Sequence, residues 1–105
     1  MKSVPFSAVR AAHSERIPGG KWFSHGAMEF FGTKLPKSAV QVGEQFVFIT
    51  SELDFDRCRR FNVRVMNAQG GIDTQSDFCS IETSEAAELA LLQVVRDLEL
   101  ARSEV

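Results

Sequence analysis

The segment from Arg60 to Val65 alternates strictly between polar and apolar side chains. In an extended strand this alternation places Phe61, Val63 and Val65 on one face and the polar residues on the other. The preceding segment 46–49 is wholly apolar, which indicates a strand buried on both faces. Together the two segments predict an antiparallel hairpin that the rest of the chain must cover.

A third strand is predicted over residues 72–80, where apolar and polar side chains again alternate. A slip of one residue against the second strand would bury acids, so one register is favoured. With a four-residue loop over 68–71, this register pairs Phe61 with Phe78 and Val65 with Thr74. Phe61 then packs under the final helix, and Arg64 lies on the outer face beside the acids Asp73 and Asp77.

Two helices are predicted, one short and one long. Ser24 as N-cap and Gly32 at the C-terminal end bound a short helix over 25–31. The long helix runs from about Glu85 to Arg102, with Thr83 or Ser84 as its cap. Its core stripe has helical spacing and consists of Ala87, Leu91, Val94, Val95, Leu98 and Ala101. Ala90 and Leu92 widen this stripe.

The predicted architecture is an α+β domain over residues 21–105. It consists of the short helix, a three-stranded antiparallel sheet and the long C-terminal helix packed on one sheet face. Residues 1–20 are expected to form an N-terminal arm, or an edge strand plus a loop. Pro5 confines any strand there to an edge, because proline cannot donate to the ladder.

Charge and composition limit the expected partners. The formal net charge of −2 provides no long-range attraction to nucleic acid or to an anionic membrane. No apolar run approaches the roughly 20 residues needed to cross a bilayer, and no secretory signal is evident, so we expect a cytoplasmic protein. The chain has two cysteines and two histidines, Cys58, Cys79, His13 and His25. Their spacing is not that of a zinc site, so neither a metal nor a cofactor is predicted.

Acidic and basic residues cluster between the first two strands, in a predicted loop over 51–58. Three acids alternate there and three arginines follow them: Glu52, Asp54, Asp56, Arg57, Arg59 and Arg60. The loop lacks the turn glycine and closing glutamate of a calcium loop, which favours a solvated loop neutralised by its own arginines.

The predicted order of elements is shared with double-stranded RNA-binding domains. Those domains bind phosphate with lysines at the start of the final helix, whereas residues 83–88 here contain acids and no lysine. The order alone therefore does not predict RNA binding.

Four segments of the chain carry a resemblance to known proteins: FSHGAMEFFG (23–32), FITSE (48–52), RRFNVRV (59–65) and SDFCSIETSEAAELA (76–90). They resemble a family of small, uncharacterised bacteriophage and prophage proteins. The resemblance covers about residues 21–98 and provides no catalytic residues. It implies a phage origin and a small cytoplasmic α+β domain. Phage proteins of this size often bind and redirect a host protein, including host defence complexes.

The function expected from these observations is protein binding through a surface, as in an inhibitor of a host defence complex of the anti-CRISPR kind. No enzyme activity is predicted, because neither a nucleophile–base pair nor a phosphate-binding loop is recognisable. The expected partner is a host or phage protein, or a second copy in a homodimer. The candidate partner-binding residues are Trp22, Phe30, Glu52, Asp54, Asp56, Arg57 and Arg59.

Two alternatives remain open at this stage. The first is a nucleic-acid-associated accessory factor that uses the arginines Arg57, Arg59, Arg60 and Arg64. The second is a self-assembling structural protein.

Overall fold

The computed structural model describes residues 2–22, 38–53, 56–75 and 80–103. Within these ranges the chain forms five strands and two helices. In chain order they are β1 (Lys2–Pro5), α1 (Phe6–Arg16), β2 (Ser38–Val42), β3 (Gln45–Leu53), β4 (Arg59–Met66), β5 (Ile72–Thr74) and α2 (Ser84–Ser103). The predicted short helix over 25–31 lies outside the described residues.

The five strands form one antiparallel sheet in the order β1-β2-β3-β4-β5. The predicted α+β class and the β3–β4 hairpin are confirmed, but the prediction of three strands was too few. The strand that sequence reasoning missed most clearly is β2, which turns directly into β3 at Gly43. This glycine has φ +61°, and a two-residue hairpin turn favours such a conformation.

The N-terminal prediction was right for the strand and wrong for the residues after it. Residues 2–5 form the edge strand β1, paired with β2. Phe6–Arg16 then forms α1, where a strand continuation or a loop was expected. Val9 and His13, one helical turn apart, are both buried, and Val9 packs against apolar residues of the sheet. Burial of this face stabilises a helix that its weak sequence periodicity did not reveal.

Helix α2 packs on the opposite face of the sheet, as predicted. Thr83 Oγ1 accepts a hydrogen bond from the Ala86 backbone N–H at 3.1 Å, which identifies the cap. An apolar cluster lies between the helix and the sheet and consists of Val42, Val47, Ile49, Val63, Val65, Ala87, Leu91 and Val95. Two expected members of the core stripe, Leu92 and Ala101, are exposed instead.

The predicted register between β4 and the following strand was wrong by one residue. Val65 pairs with Asp73, and Arg64 pairs with Thr74. The loop has five residues instead of four, because Asn67 Oδ1 accepts from two backbone N–H groups within it. Asp73 remains exposed at the sheet edge, so the argument against burying an acid does not apply there.

Phe61 bridges Ile81, and its predicted partner Phe78 lies outside the described residues. The Phe61 side chain does pack against the cluster that contains Leu91 and Val95, as expected.

Candidate functional site

A cluster of polar side chains is buried on the α1 face of the sheet. We call it the Glu52–Arg64 cluster, and its members are Thr50, Glu52, Asn62, Arg64 and Thr74. Glu52 is 0% exposed and Arg64 is 9% exposed. The expectation that Arg64 lies on an outer face and Glu52 in a solvated loop was therefore wrong. Strand β3 extends through Leu53, which places Glu52 inside the sheet.

Both carboxylate oxygens of Glu52 accept hydrogen bonds. Arg64 Nη2 lies 2.5 Å and Thr50 Oγ1 2.8 Å from Oε1, and Asn62 Nδ2 lies 2.6 Å from Oε2. Arg64 Nε donates to Thr50 Oγ1 at 2.9 Å, and its Nη1 donates to Thr74 Oγ1. Two opposite charges thus compensate each other away from water, so the cluster specifies structure and presents no free acid or base.

Trp22, one of the candidate partner-binding residues, covers this cluster and is half-buried. The Trp22 ring meets Phe48 edge-to-face with centroids 5.9 Å apart. The Arg64 guanidinium carbon lies 5.4 Å from the centroid of the Trp22 ring, within the range of a cation–π contact. Phe30, the other aromatic candidate for partner binding, lies outside the described residues.

The tip of the β3–β4 hairpin holds the remaining predicted site residues. Asp56 and Arg57 are exposed, and Arg57 has φ +60°. Arg59 is half-buried and donates to the Ser51 carbonyl at 3.0 Å. Asp54 lies outside the described residues.

The arginines invoked for nucleic-acid binding do not form one basic surface. Arg59 and Arg60 are neighbours in β4, so their side chains leave opposite faces of the sheet. Arg60 lies 3.8 Å from the Glu82 carboxylate, and Arg64 is buried against Glu52.

An exposed apolar surface lies on α2, opposite the helix face that packs on the sheet. Leu89 is 70%, Leu92 51% and Leu100 56% exposed. Helical spacing aligns these leucines with two exposed charged residues. We call this surface the leucine face, and it consists of Glu85, Leu89, Leu92, Arg96 and Leu100. The spacing is visible in the sequence, but the sequence-based prediction places Leu92 in the core stripe.

A groove of about 220 Å³ adjoins the leucine face between α2 and the first strands of the sheet. Its lining is mainly apolar: Ser3, Ala39, Val40, Ile49, Glu88, Leu91 and Leu92. A second cavity of about 450 Å³ lies where the β2–β3 and β4–β5 turns approach Arg102. In the described ranges, no group of three or more acids, histidines and cysteines is placed to hold a metal.

The fold and its surfaces define a small α+β protein with a helix on each face of a five-stranded antiparallel sheet. A family of unknown function, DUF7447, matches residues 6–92, so the chain belongs to that family. No curated protein and no solved structure matches the chain. Neither described helix is long and apolar enough to cross a membrane.

Proposed function

We propose that this protein is a non-catalytic binding module that contacts another protein through the leucine face. The observation that carries the proposal is the exposure of Leu89, Leu92 and Leu100 on one side of a single helix. Isolated apolar residues on a surface are ordinary, whereas aligned ones beside an apolar groove are typical of interfaces.

The size of the face indicates what such a contact requires. Burying a leucine side chain fully contributes about 1.5–3 kcal/mol, and association costs at least about 4 kcal/mol in lost freedom. Since these leucines are already partly covered, their burial exceeds the free-energy cost of association by only a small amount. A partner of useful affinity must therefore also fill the groove beside Leu92.

The resemblance to small phage proteins supports a host protein as the target, with inhibition of a host defence complex as the proposed outcome. The contacts of the arginines favour this over nucleic-acid binding. Arg64 forms a buried ion pair with Glu52, and Arg59 donates a hydrogen bond to the backbone of the neighbouring strand.

The proposal is tested by capture followed by reconstitution. The tagged full chain is incubated with an extract of the bacterium that carries its gene, and any captured protein is purified and mixed with the chain. Support requires a stoichiometric complex that Leu89→Glu together with Leu92→Glu weakens at least about tenfold. The matched control is Ala11→Glu, an exposed position of α1 on the other sheet face.

Thermal unfolding of both variants should match the wild type, because the substituted side chains are exposed. A reconstituted complex that tolerates the two glutamates would contradict the assignment of the leucine face.

A further inference from the structure

Four residues of the leucine face form a pattern that is complementary to itself. Glu85, Leu89, Leu92 and Arg96 are spaced by four, three and four residues, and all four are exposed. Read in the opposite direction, the spacing is the same and the charges are reversed. A helix of this pattern can therefore pair with an identical helix that runs antiparallel to it.

We propose that a second copy of this chain occupies the leucine face in an antiparallel, two-fold symmetric pair of α2 helices. The inference rests on the proposed function, because it names the occupant of the same face when no other target is bound. The two-fold axis passes between Leu89 and Leu92. Each Leu89 then meets Leu92 of the partner subunit, so one patch serves both copies.

Charge determines the orientation of the pair. In the antiparallel arrangement Glu85 faces Arg96 of the partner subunit, and symmetry makes this contact twice. A parallel arrangement would place each charge beside its own copy, which is repulsive. Complementary charges at the edge of an interface select the register more strongly than they raise affinity.

The groove supplies additional contact area, and two-fold symmetry provides one such groove in each copy. A helix–helix contact limited to this four-residue pattern is smaller than the roughly 1,000 Å² expected of a stable interface. The groove beside Leu92 admits apolar side chains of the second copy, since Val40, Ile49 and Leu91 line it. Leu100 lies two turns beyond Leu92, outside the four-residue pattern. We therefore expect a weak, concentration-dependent dimer in which Leu100 contributes less than Leu89 or Leu92.

The first test is sedimentation equilibrium of the purified full chain over a range of concentrations. Wild type and Ala11→Glu should show the same monomer–dimer equilibrium. Leu89→Glu and Leu92→Glu should each weaken it at least about tenfold, and Leu100→Glu should weaken it less. A wild-type chain that stays monomeric up to about 1 mM would overturn the proposal, as would glutamate variants that still form the dimer.

The second test exchanges the charges and needs no apolar substitution. Glu85→Arg alone and Arg96→Glu alone should each weaken the dimer, and the double variant should restore it. Positions 85 and 96 are about 16 Å apart along one helix, beyond the roughly 8 Å Debye length at physiological salt. Restoration can therefore arise only between chains. If the dimer of the double variant is weakened by the sum of the two single losses, the proposed register is wrong.

The two proposals fail in different ways. A monomeric wild-type chain that reconstitutes a complex with a host protein would sink the dimer and leave the proposed function standing. A dimer that passes the charge exchange, without any reconstituted host complex, would support the pairing and reject a host target.

Discussion

Both faces of the sheet are buried, but the side chains on them interact in different ways. Beneath α2, strand β4 contributes Val63 and Val65 to a core of apolar side chains. On the α1 face the same strand contributes Asn62 and Arg64, which are equally buried and bind Glu52 of β3. Alternation along a strand thus places polar and apolar side chains on different faces, but it does not determine which face is exposed to solvent.

Burial of the polar face depends on complementary groups in adjacent strands. The antiparallel register sets Thr50 opposite Asn62, which places Glu52 diagonal to Asn62 and Thr50 diagonal to Arg64. Polar residues of both strands on this face then hydrogen-bond to one another, whereas the α2 face is stabilised mainly by apolar packing. A face of the first kind should be intolerant of single changes, and one of the second kind should be forgiving.

The largest expected effect is that of Glu52→Ala. It leaves the Arg64 guanidinium buried without its counter-charge, which should lower the free energy of unfolding by about 3–5 kcal/mol. Urea denaturation measures the loss. The control on the other face is Ile49→Val, three residues earlier in β3, for which the loss should be only about 0.5–1.5 kcal/mol. Similar losses for the two variants would remove the contrast between the faces.

Replacing the buried polar groups together should reverse that loss. A variant with Thr50→Val, Glu52→Leu, Asn62→Leu and Arg64→Met keeps similar volumes and leaves no buried charge. Its free energy of unfolding should at least equal that of the wild type and exceed it by up to about 4 kcal/mol, because desolvation of the ions is no longer required. Urea denaturation again provides the value. If the quadruple variant is no more stable than Glu52→Ala, the buried polar groups stabilise the fold by more than satisfying one another's charges and hydrogen bonds.

The smallest expected effect concerns Ser51, which lies on the α2 face of β3, opposite Phe61 of β4. Its Oγ is buried and has no hydrogen-bond partner among the described residues. Ser51→Ala should therefore leave the free energy of unfolding unchanged or raise it by up to about 1 kcal/mol, since an unsatisfied buried hydroxyl is unfavourable. A decrease of more than about 1 kcal/mol in thermal or urea unfolding would mean that the hydroxyl is bonded.

Local patterns in the sequence were sufficient to predict the β3–β4 hairpin and the long helix α2. The alternation from Arg60 to Val65 and the cap at Thr83 depend on neighbours only a few residues away. Among the candidate site residues, Asp56 and Arg57 were placed correctly in an exposed turn. Glu52 was not, because the side chains that surround it come from another strand.

What only the tertiary structure decided is which of these elements is covered, and by what. Phe6–Arg16 is a helix because its Val9 face meets the sheet, and Glu52 is buried because Arg64 and Asn62 are there to bind it. Leu92 is exposed because α2 already contacts the sheet through Leu91 and Val95. The physical reason is common to all three cases. Periodicity determines which side chains share a face, whereas burial is a long-range property that depends on what packs against that face.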